Sequence, residues 1–471
     1  MYRGRTGTSG REIGRYLDSQ LVGAFVVDST AAGPRTHERV MVISAYDDTV
    51  KAAGFPDDHF QVFAINGRSW PNAEPATYAV GDTVHWRVIN ASDHFHPMHL
   101  HGFFFTVLSK GTLLADTLYA PAARREAVTE SMARVTTTTL TWVASRPGHW
   151  LYHCHMIGHI ATSLRLRSGA PMSHARVEDV MSGLVIAVTV KDRAGSVRHP
   201  APAAVASRLR LFITEPRVAA GAPPALSYVL QEATMRPAAD SALRPGSTLV
   251  LHQHEPTEIM VSNLTSRPTA VHWHGLELES YFDGVAGWSG AGKRMAPLIA
   301  PGDSFTVRLT PPRAGTFIYH THSDEAVQLA GGLFGALLVL PPGMDRRDTT
   351  ERLLIIANDG LEPREAPDGT RAVGPIMLRA GVTHRLRFIS IAVTSLYRIR
   401  LLSDSTEQTW RPVAKDGAEL PASQATERPA VTVMGTGETI DVEVRRAHPE
   451  TLTLELRKDG VVYYRIPVWV R

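Results

Sequence analysis

Two segments of the chain repeat each other, and this repeat limits the folds that the chain can adopt. Residues 146–155 read Arg-Pro-Gly-His-Trp-Leu-Tyr-His-Cys-His, and residues 313–322 read Arg-Ala-Gly-Thr-Phe-Ile-Tyr-His-Thr-His. Each segment consists of a turn, a short run of aromatic and aliphatic residues, and two histidines separated by one residue. A repeat of this kind indicates tandem domains of one type.

A second pair of matched segments lies upstream of these repeats. Residues 84–90 lead to a His-Leu-His-Gly motif at 99–102, and residues 258–263 lead to a His-Trp-His-Gly motif at 272–275. Apolar and polar residues alternate in these runs, and Gly, Pro, Asn and Asp separate them, as in the short strands of β-sandwiches. Since helical periodicity is scarce, the sequence predicts an all-β chain of tandem sandwiches.

A third repeat marks the edges of the domains. Residues 20–27 resemble residues 333–339, and each run is followed by a polar turn and a new strand. Because the later run is expected to close one sandwich, residues 1–35 are expected to be the closing edge of a truncated N-terminal domain. The predicted units are a tail at 1–35, a sandwich at 36–194, a Pro/Ala-rich linker at 195–207, a second sandwich at 208–345 and a third sandwich at 346–471. The third sandwich has no His-X-His motif and is predicted to be structural.

Composition excludes several classes of protein. The net charge is only +3 and no long run of Lys or Arg is present, which argues against nucleic-acid binding despite a pI near 9.0. No segment approaches the roughly 20 apolar residues that span a bilayer, so we expect no membrane partner. The first residues lack the apolar core of a signal peptide, and no export signal is visible.

The chain has a single cysteine, Cys154, which lies between His153 and His155, with His159 four residues further on. A lone thiol has no disulfide partner, whereas a thiolate with two imidazoles and a weak axial position is the ligand set of blue copper. In a strand, residues i and i+2 point to one face and residue i+1 to the other. Cys154 can therefore bind one metal while its two histidine neighbours bind another, an arrangement suited to electron transfer.

The four histidine motifs together resemble those of the multicopper oxidases, the family of the laccases and ferroxidases. The resemblance covers residues 36–345 and implies cupredoxin-like Greek-key β-sandwiches with four coppers per functional unit: one type 1, one type 2 and two of type 3. The implied type 1 ligands are His96, Cys154 and His159; the type 2 ligands are His99 and His272; and the type 3 ligands are His101, His153, His155, His274, His320 and His322.

The same resemblance implies roles for two further residues, Leu164 and Asp283. Leu164, ten residues after the cysteine, occupies the axial position of the type 1 site. Leucine cannot coordinate, so a relatively high redox potential is expected. Asp283, nine residues after His274, matches a carboxylate that helps to move protons to the oxygen-reducing cluster, which consumes protons in a buried site. An Asp-Gly pair is also a common turn.

The order of the motifs departs from the common three-domain laccases, because the cysteine motif comes first here. A three-copper cluster needs histidines from both kinds of domain. The sequence leaves open whether they meet within one chain or between neighbouring chains, so a homo-oligomer is possible.

The predicted function is that of a laccase-like enzyme, which couples one-electron oxidation of a small-molecule or metal-ion reductant to the reduction of dioxygen to water. Phenols, aromatic amines and metal ions all remain open as reductants. The alternatives are a copper nitrite reductase-like enzyme, which needs only one further mononuclear copper, and a non-catalytic copper-binding cupredoxin protein. The family resemblance implies a periplasmic or secreted location.

Overall fold

The computed structural model is almost entirely β in the part of the chain that it describes. The described residues are 2–3, 22–28, 35–48, 60–112, 114–160, 181–193, 204–219, 224–231, 234–344, 350–357, 360–361 and 374–471. Among them, no helix is long and apolar enough to cross a membrane. The chain divides into two compact units, residues 1–124 with 128–197, and residues 125–127 with 198–471.

The described part of residues 1–197 contains fourteen strands. They are Tyr2–Arg3 (β1), Val22–Gly23 (β2), Glu38–Asp48 (β3), Phe60–Ile65 (β4), Ala76–Ala79 (β5), Thr83–Asn90 (β6), His96–Leu100 (β7), Phe105–Gly111 (β8), Asp116–Leu118 (β9), Glu126–Ala127 (β10), Thr129–Met132 (β11), Thr136–Val143 (β12), Gly148–Cys154 (β13) and Val185–Lys191 (β14). A 3₁₀ turn covers Pro121–Ala123, and a short helix, α1, covers Ile157–Ile160.

Strands β3–β9 and β11–β14 form the two sheets of a sandwich. One sheet has the order β8-β12-β6-β3-β4, with β9 paired to β8, and the other has the order β11-β7-β13-β14-β5. Inward residues alternate along β6, where Val84, Trp86 and Val88 are buried between more exposed neighbours. Trp150 is fully buried. Its ring lies 2.2 Å from where a Cβ of Gly102 would be, so only glycine lets these segments pack together.

The edge strand predicted at 20–27 is described from residue 22 onward. Within residues 22–27 only Val22–Gly23 is a strand, and it pairs with Tyr2–Arg3. Residues 24–28 are not in a strand, and Phe25 and Val27 are 73% and 77% exposed. The role of residues 1–35 as the closing edge of another domain stays a prediction.

Apart from a short hairpin at residues 290–295, the described strands after residue 197 belong to two further pairs of sheets. They are Ser207–Thr214 (β15), Ser227–Leu230 (β16), Gly246–His252 (β17), Thr257–Asn263 (β18), Val271–His272 (β19), Gly290–Ala291 (β20), Arg294–Met295 (β21), Ser304–Leu309 (β22), Gly315–Thr321 (β23), Phe334–Leu340 (β24), Glu351–Ala357 (β25), Gly360–Leu361 (β26), Ile376–Leu378 (β27), Thr383–Ser390 (β28), Tyr397–Ser403 (β29), Thr406–Glu407 (β30), Thr409–Lys415 (β31), Ala418–Glu419 (β32), Arg428–Pro429 (β33), Val431–Met434 (β34), Glu438–Arg445 (β35), Glu450–Lys458 (β36) and Val461–Val470 (β37). A 3₁₀ turn covers Ser280–Phe282, and helix α2 covers Glu325–Gly331.

The first of these pairs consists of the sheets β16-β15-β18-β22 and β17-β24-β23-β19. The second consists of β26-β25-β28-β35-β31-β32, with β33 paired to β31, and β27-β37-β36-β29-β30, with β34 paired to β29. The last pair encloses its own apolar core, which includes Phe388, Tyr397 and Trp410. The predicted all-β class of tandem sandwiches is confirmed, whereas the predicted domain boundaries stay a prediction.

A buried polar network ties the last sandwich to the strand that carries a histidine motif. Arg387 donates to Thr316 Oγ1 at 2.8 Å and to Asp441 Oδ2 at 2.6 Å, and Thr316 donates to Asp441 Oδ1 at 2.8 Å. All three residues are at most 5% exposed. Thr316 lies on β23, four residues before His320, so the network anchors that strand.

We predict that Asp441→Asn lowers the free energy of unfolding of the second unit by about 3 kcal/mol, because Arg387 then keeps a buried charge with one anionic partner fewer. Glu443→Gln on the same strand breaks an exposed pair with Arg411 and should cost about 0–1 kcal/mol. Urea denaturation of both variants checks this. Equal effects would show that the buried network contributes no more than a surface pair.

Candidate metal centres

The first candidate centre brings together His96, Cys154 and His159, which are at most 6% exposed. Cys154 Sγ lies 3.8 Å from His96 Nδ1 and 3.4 Å from His159 Nδ1, and the two Nδ1 atoms are 3.0 Å apart. Donor atoms bound at about 2.0–2.3 Å to one first-row metal ion lie no more than about 4.6 Å from each other. The three donors therefore fit one ion, and a thiolate with two imidazoles fits copper.

Three separate elements position these ligands. His96 begins β7, Cys154 ends β13 opposite Met98 of β7, and His159 lies on α1. The carbonyl of His159 accepts a hydrogen bond from Leu184 N at 3.1 Å. The strand pairing thus holds the main chain at Cys154, and this hydrogen bond holds it at His159.

A hydrogen-bond chain fixes the ring of His96. Ser92 Oγ lies 2.7 Å from His96 Nε2 and donates to Asn90 Oδ1 at 2.8 Å. Because the Ser92 proton is used on Asn90, Ser92 accepts from the Nε2–H of His96, which leaves the Nδ1 lone pair for a metal. Hydrogen bonding of the second ring nitrogen is the usual way in which a metal-binding histidine is oriented.

Burial also sets the protonation states of this centre. It lowers the pKa of His159 to about 3 and lowers the pKa of His96 well below its usual value, with the neighbouring histidines adding to the effect. Burial raises the pKa of the Cys154 thiol to about 12. The imidazoles are therefore already in the neutral form that binds metal, whereas metal binding has to displace the thiol proton.

The two histidines of this centre differ in their access to solvent. His96 is fully buried, whereas His159 is 6% exposed. The His94 side chain, which is 34% exposed, lies edge-on to the His159 ring at 5.5 Å, and the Phe63 ring lies 4.1 Å from it. Of the two ligands, His159 is the one nearer to the surface.

Four more predicted ligands cluster within the first unit. His153 on β13 lies directly opposite His99 on β7. His101 Nε2 and His153 Nε2 are 3.0 Å apart, and the rings of His153 and His155 stack with centroids 5.7 Å apart. His153 and His155 therefore share one side of the chain, as predicted, while Cys154 meets His96 and His159 on the other.

The second unit repeats this arrangement. His272 on β19 lies directly opposite His320 on β23. The His272 ring centroid lies 5.7 Å from that of His274, 5.3 Å from that of His320 and 5.5 Å from that of His322. The structure thus collects the two predicted motifs of each unit into a group of four buried imidazoles.

Backbone carbonyls fix the tautomers of four of these histidines. Each uses Nδ1–H to donate to a carbonyl oxygen and so presents Nε2 to a metal. The pairs are His99 with Val128 O at 2.9 Å, His153 with Cys154 O at 2.8 Å, His272 with Asp283 O at 2.7 Å and His320 with Thr321 O at 2.7 Å.

Asp283, the predicted proton-moving residue, lies beside His272. Its side chain is fully buried, Oδ1 is 3.4 Å from His272 Nδ1, and Oδ2 accepts from Ser289 Oγ at 3.0 Å. Gly284 completes the turn with φ +91°, and a Cβ there would lie 1.9 Å from Val271 O. The Asp-Gly pair is therefore a turn that also delivers a carboxylate to a predicted ligand.

Two residues near the candidate ligands were not predicted from the sequence. Ser92 lies four residues before His96, and Glu325 lies three residues after His322 with Oε1 3.4 Å from His322 Nδ1. Burial raises the pKa of Glu325 to about 8. Spacing from the histidine motifs is the only signal in the sequence that could have pointed to either residue. Leu164, the predicted axial residue, lies outside the described residues.

Known protein families match two segments of the chain. A family profile described as multicopper oxidase matches residues 41–167, and a second profile with this description matches residues 241–343. A laccase from Ustilaginoidea virens is 38% identical over 117 residues, which are 24% of this chain and 16% of that protein. Ceruloplasmin from Homo sapiens is 29% identical over 124 residues, which are 25% of this chain and 10% of that protein.

These matches assign residues 41–167 and 241–343 of the chain to the multicopper oxidase family. The matched segments cover only a small part of the length of these curated relatives. Among solved structures, a blue copper oxidase from Nitrosomonas europaea matches 56% of this chain and 85% of that chain, with 20% identity and a TM-score of 0.41; a superposition at this score adds no argument. The family makes copper the metal to expect at the centres described above.

We predict that Ser92→Ala lowers the copper affinity of the His96–Cys154–His159 centre by about 10–100-fold, because the His96 ring loses the partner of its Nε2–H. Copper titration followed at the blue absorption band measures this. Thr265→Ala is the matched control, since Thr265 makes the same hydroxyl bond to Asn263 in the second unit. An unchanged affinity in Ser92→Ala would show that the hydroxyl does not orient His96.

Proposed function

We propose that the protein is a laccase-like, copper-dependent oxidase, which removes single electrons from a small-molecule or metal-ion reductant and uses them for the four-electron reduction of dioxygen to water. One observation carries the proposal: Cys154 completes a His-Cys-His donor set while its chain neighbours belong to a second group of imidazoles. Copper would supply the one-electron chemistry at both places.

The residues of the chain have distinct parts in this proposal. His159 and its exposed neighbour His94 lie on the side where a reductant can approach, whereas His96 is buried and anchored by Ser92. Cys154 is joined by one peptide bond to His153 and by another to His155. Electrons taken up near His159 thus have a short covalent route to the second group of ligands.

The proposed copper content is four per functional unit: one type 1, one type 2 and two of type 3. His96, Cys154 and His159 would hold the type 1 copper. The family resemblance assigns the eight other histidines, four from each unit, to a three-copper cluster. It leaves open whether the two sets of four come from one chain or from neighbouring chains, and a homo-oligomer would follow from the second case.

A nitrite reductase-like enzyme is less well supported, because a single mononuclear copper beside the blue site has no use for eight imidazoles. A non-catalytic copper protein would be expected to have lost ligands, and each predicted histidine and cysteine ligand is present in the sequence. The reductant stays open among phenols, aromatic amines and metal ions. We also propose a periplasmic or secreted location on the strength of the resemblance.

Oxygen uptake in a closed cell, with a phenolic reductant, tests the proposed function. The wild-type protein should consume oxygen without releasing hydrogen peroxide. Cys154→Ser should lose the blue absorption band, because that band needs the thiolate, and its oxygen uptake should fall to the level of copper-free protein. A Cys154→Ser variant that keeps its blue band would contradict the assignment of Cys154.

We predict that Asp283→Asn lowers the rate of oxygen uptake by about 10²–10⁴-fold, the usual contribution of a positioned proton donor or acceptor. Copper content and the blue band should not change, because the His272 ring keeps its bond to the Asp283 carbonyl. Ser289→Ala, which keeps the carboxylate and removes one hydrogen bond to it, should have a much smaller effect. Wild-type rates in Asp283→Asn would remove Asp283 from the proton path.

A further inference from the structure

Glu325 is a buried carboxylate to which neither the sequence nor the proposed function gives a role. It is the first residue of α2 and is 6% exposed. Removing a carboxylate from water is costly unless a partner offsets the loss of hydration. Among the described residues, the only ion-pair partner of Glu325 is His322, whose Nδ1 lies 3.4 Å from Oε1.

The Glu325 carboxyl oxygen faces His322 Nδ1 in the way that main-chain carbonyl oxygens face Nδ1 of other candidate ligands. Four histidines of the two groups donate Nδ1–H to a main-chain oxygen, and His320, two residues before His322 on the same segment, is one of them. At His322 the Nδ1 atom faces a side-chain oxygen. If Nδ1 is directed to the carboxylate, Nε2 is the nitrogen that remains for a metal.

Hydrogen bonds hold α2 at a fixed position relative to the histidine segment. Gln328 Oε1 accepts from Thr321 Oγ1 at 2.9 Å and from Thr269 Oγ1 at 2.7 Å, and Gln328 Nε2 donates to Pro268 O at 2.9 Å. Thr321 lies between His320 and His322. The helix that begins with Glu325 is therefore tied to the residue next to His322, and the carboxylate has little freedom to leave the imidazole.

We propose that Glu325 is a positioning residue for His322: its carboxylate accepts the Nδ1–H and directs Nε2 to copper. The inference rests on the proposed function, since it assumes that His322 binds copper. Carboxylate–histidine–metal arrangements orient the ring and increase the basicity of the ligand. A separation of 3.4 Å exceeds that of a formed hydrogen bond, and we expect it to shorten when metal fixes the ring.

Three substitutions of Glu325 separate the effect of its hydrogen bond from the effects of its ionisable group and of its side-chain volume. Glu325→Gln keeps an acceptor oxygen at the same reach and cannot ionise. Glu325→Asp keeps the carboxyl group and withdraws its oxygens by one methylene group. Glu325→Ala removes both the acceptor oxygen and the ionisable group, and Glu419→Ala makes the same change at an exposed site of the same unit.

The experiment loads each full-length protein with copper, dialyses it against graded concentrations of a chelator, and measures copper per chain together with the electron paramagnetic resonance spectrum. Glu325→Ala and Glu325→Asp should lose cluster copper at chelator concentrations about 10–100-fold lower than the wild type. Glu325→Gln and Glu419→Ala should stay close to the wild type. The blue band, which reports on Cys154, should be the same in all proteins.

Two results would overturn the inference. One is a wild-type copper retention and spectrum in Glu325→Ala. The other is an equal loss in Glu325→Gln and Glu325→Ala, because an amide oxygen would then fail to replace the carboxylate. If the wild-type protein itself retains only the blue copper, the proposed function fails, and this inference fails with it; retention of cluster copper by both the wild type and Glu325→Ala removes the inference alone. Should Glu325→Ala not fold, the comparison of Glu325→Asp with Glu325→Gln still decides.

Discussion

The pairing of β13 with β7 is the constraint on which the rest of the first candidate centre depends. Its register sets His153 opposite His99 and Cys154 opposite Met98. Successive side chains of a strand point to opposite faces, so the thiol points away from its two histidine neighbours. The register decides which residues of β7 lie opposite each of them. A shift by one residue would exchange the faces and would bring Cys154 in among the imidazoles.

The second unit has the same pairing of histidine-bearing strands but no cysteine. His272 lies opposite His320 in the pairing of β19 with β23, and Thr321 takes the position that Cys154 has in the first unit. Thr321 bonds to Gln328 of α2, so this position stabilises a helix in the second unit, whereas it holds a proposed metal ligand in the first. The same sandwich design thus has a candidate redox ligand in one copy and a structural hydroxyl in the other.

Burying many imidazoles requires partners for their second nitrogens. Main-chain carbonyls serve His99, His153, His272 and His320, and a hydroxyl serves His96. These bonds use groups that the strands and turns already present, so the candidate ligands are oriented by the protein itself. The last sandwich contributes as well, because Arg387 and Asp441 hold Thr316 on the strand that leads to His320.

Much of this could be predicted from the sequence, because the histidine motifs are local patterns and strand alternation converts them into faces. The all-β class and the separation of Cys154 from its two histidine neighbours follow in this way. The grouping of His96 with Cys154 and His159, and the expectation of Asp283 near the other histidines, came from the family resemblance. Ser92 and Glu325 could not be predicted, since a serine or a glutamate a few residues from a histidine has no distinguishing pattern until the chain folds back. Residues 20–27 resemble a full strand, but among the described residues of this run, 22–27, only Val22–Gly23 are paired in a sheet.

Copper per chain, measured by elemental analysis after anaerobic loading and desalting, tests the central claim most directly. A blue site together with a three-copper cluster predicts a value close to four. A value close to two would contradict the claim and favour a nitrite reductase-like enzyme. A value close to one would also contradict it, because the eight remaining histidines would then hold no copper.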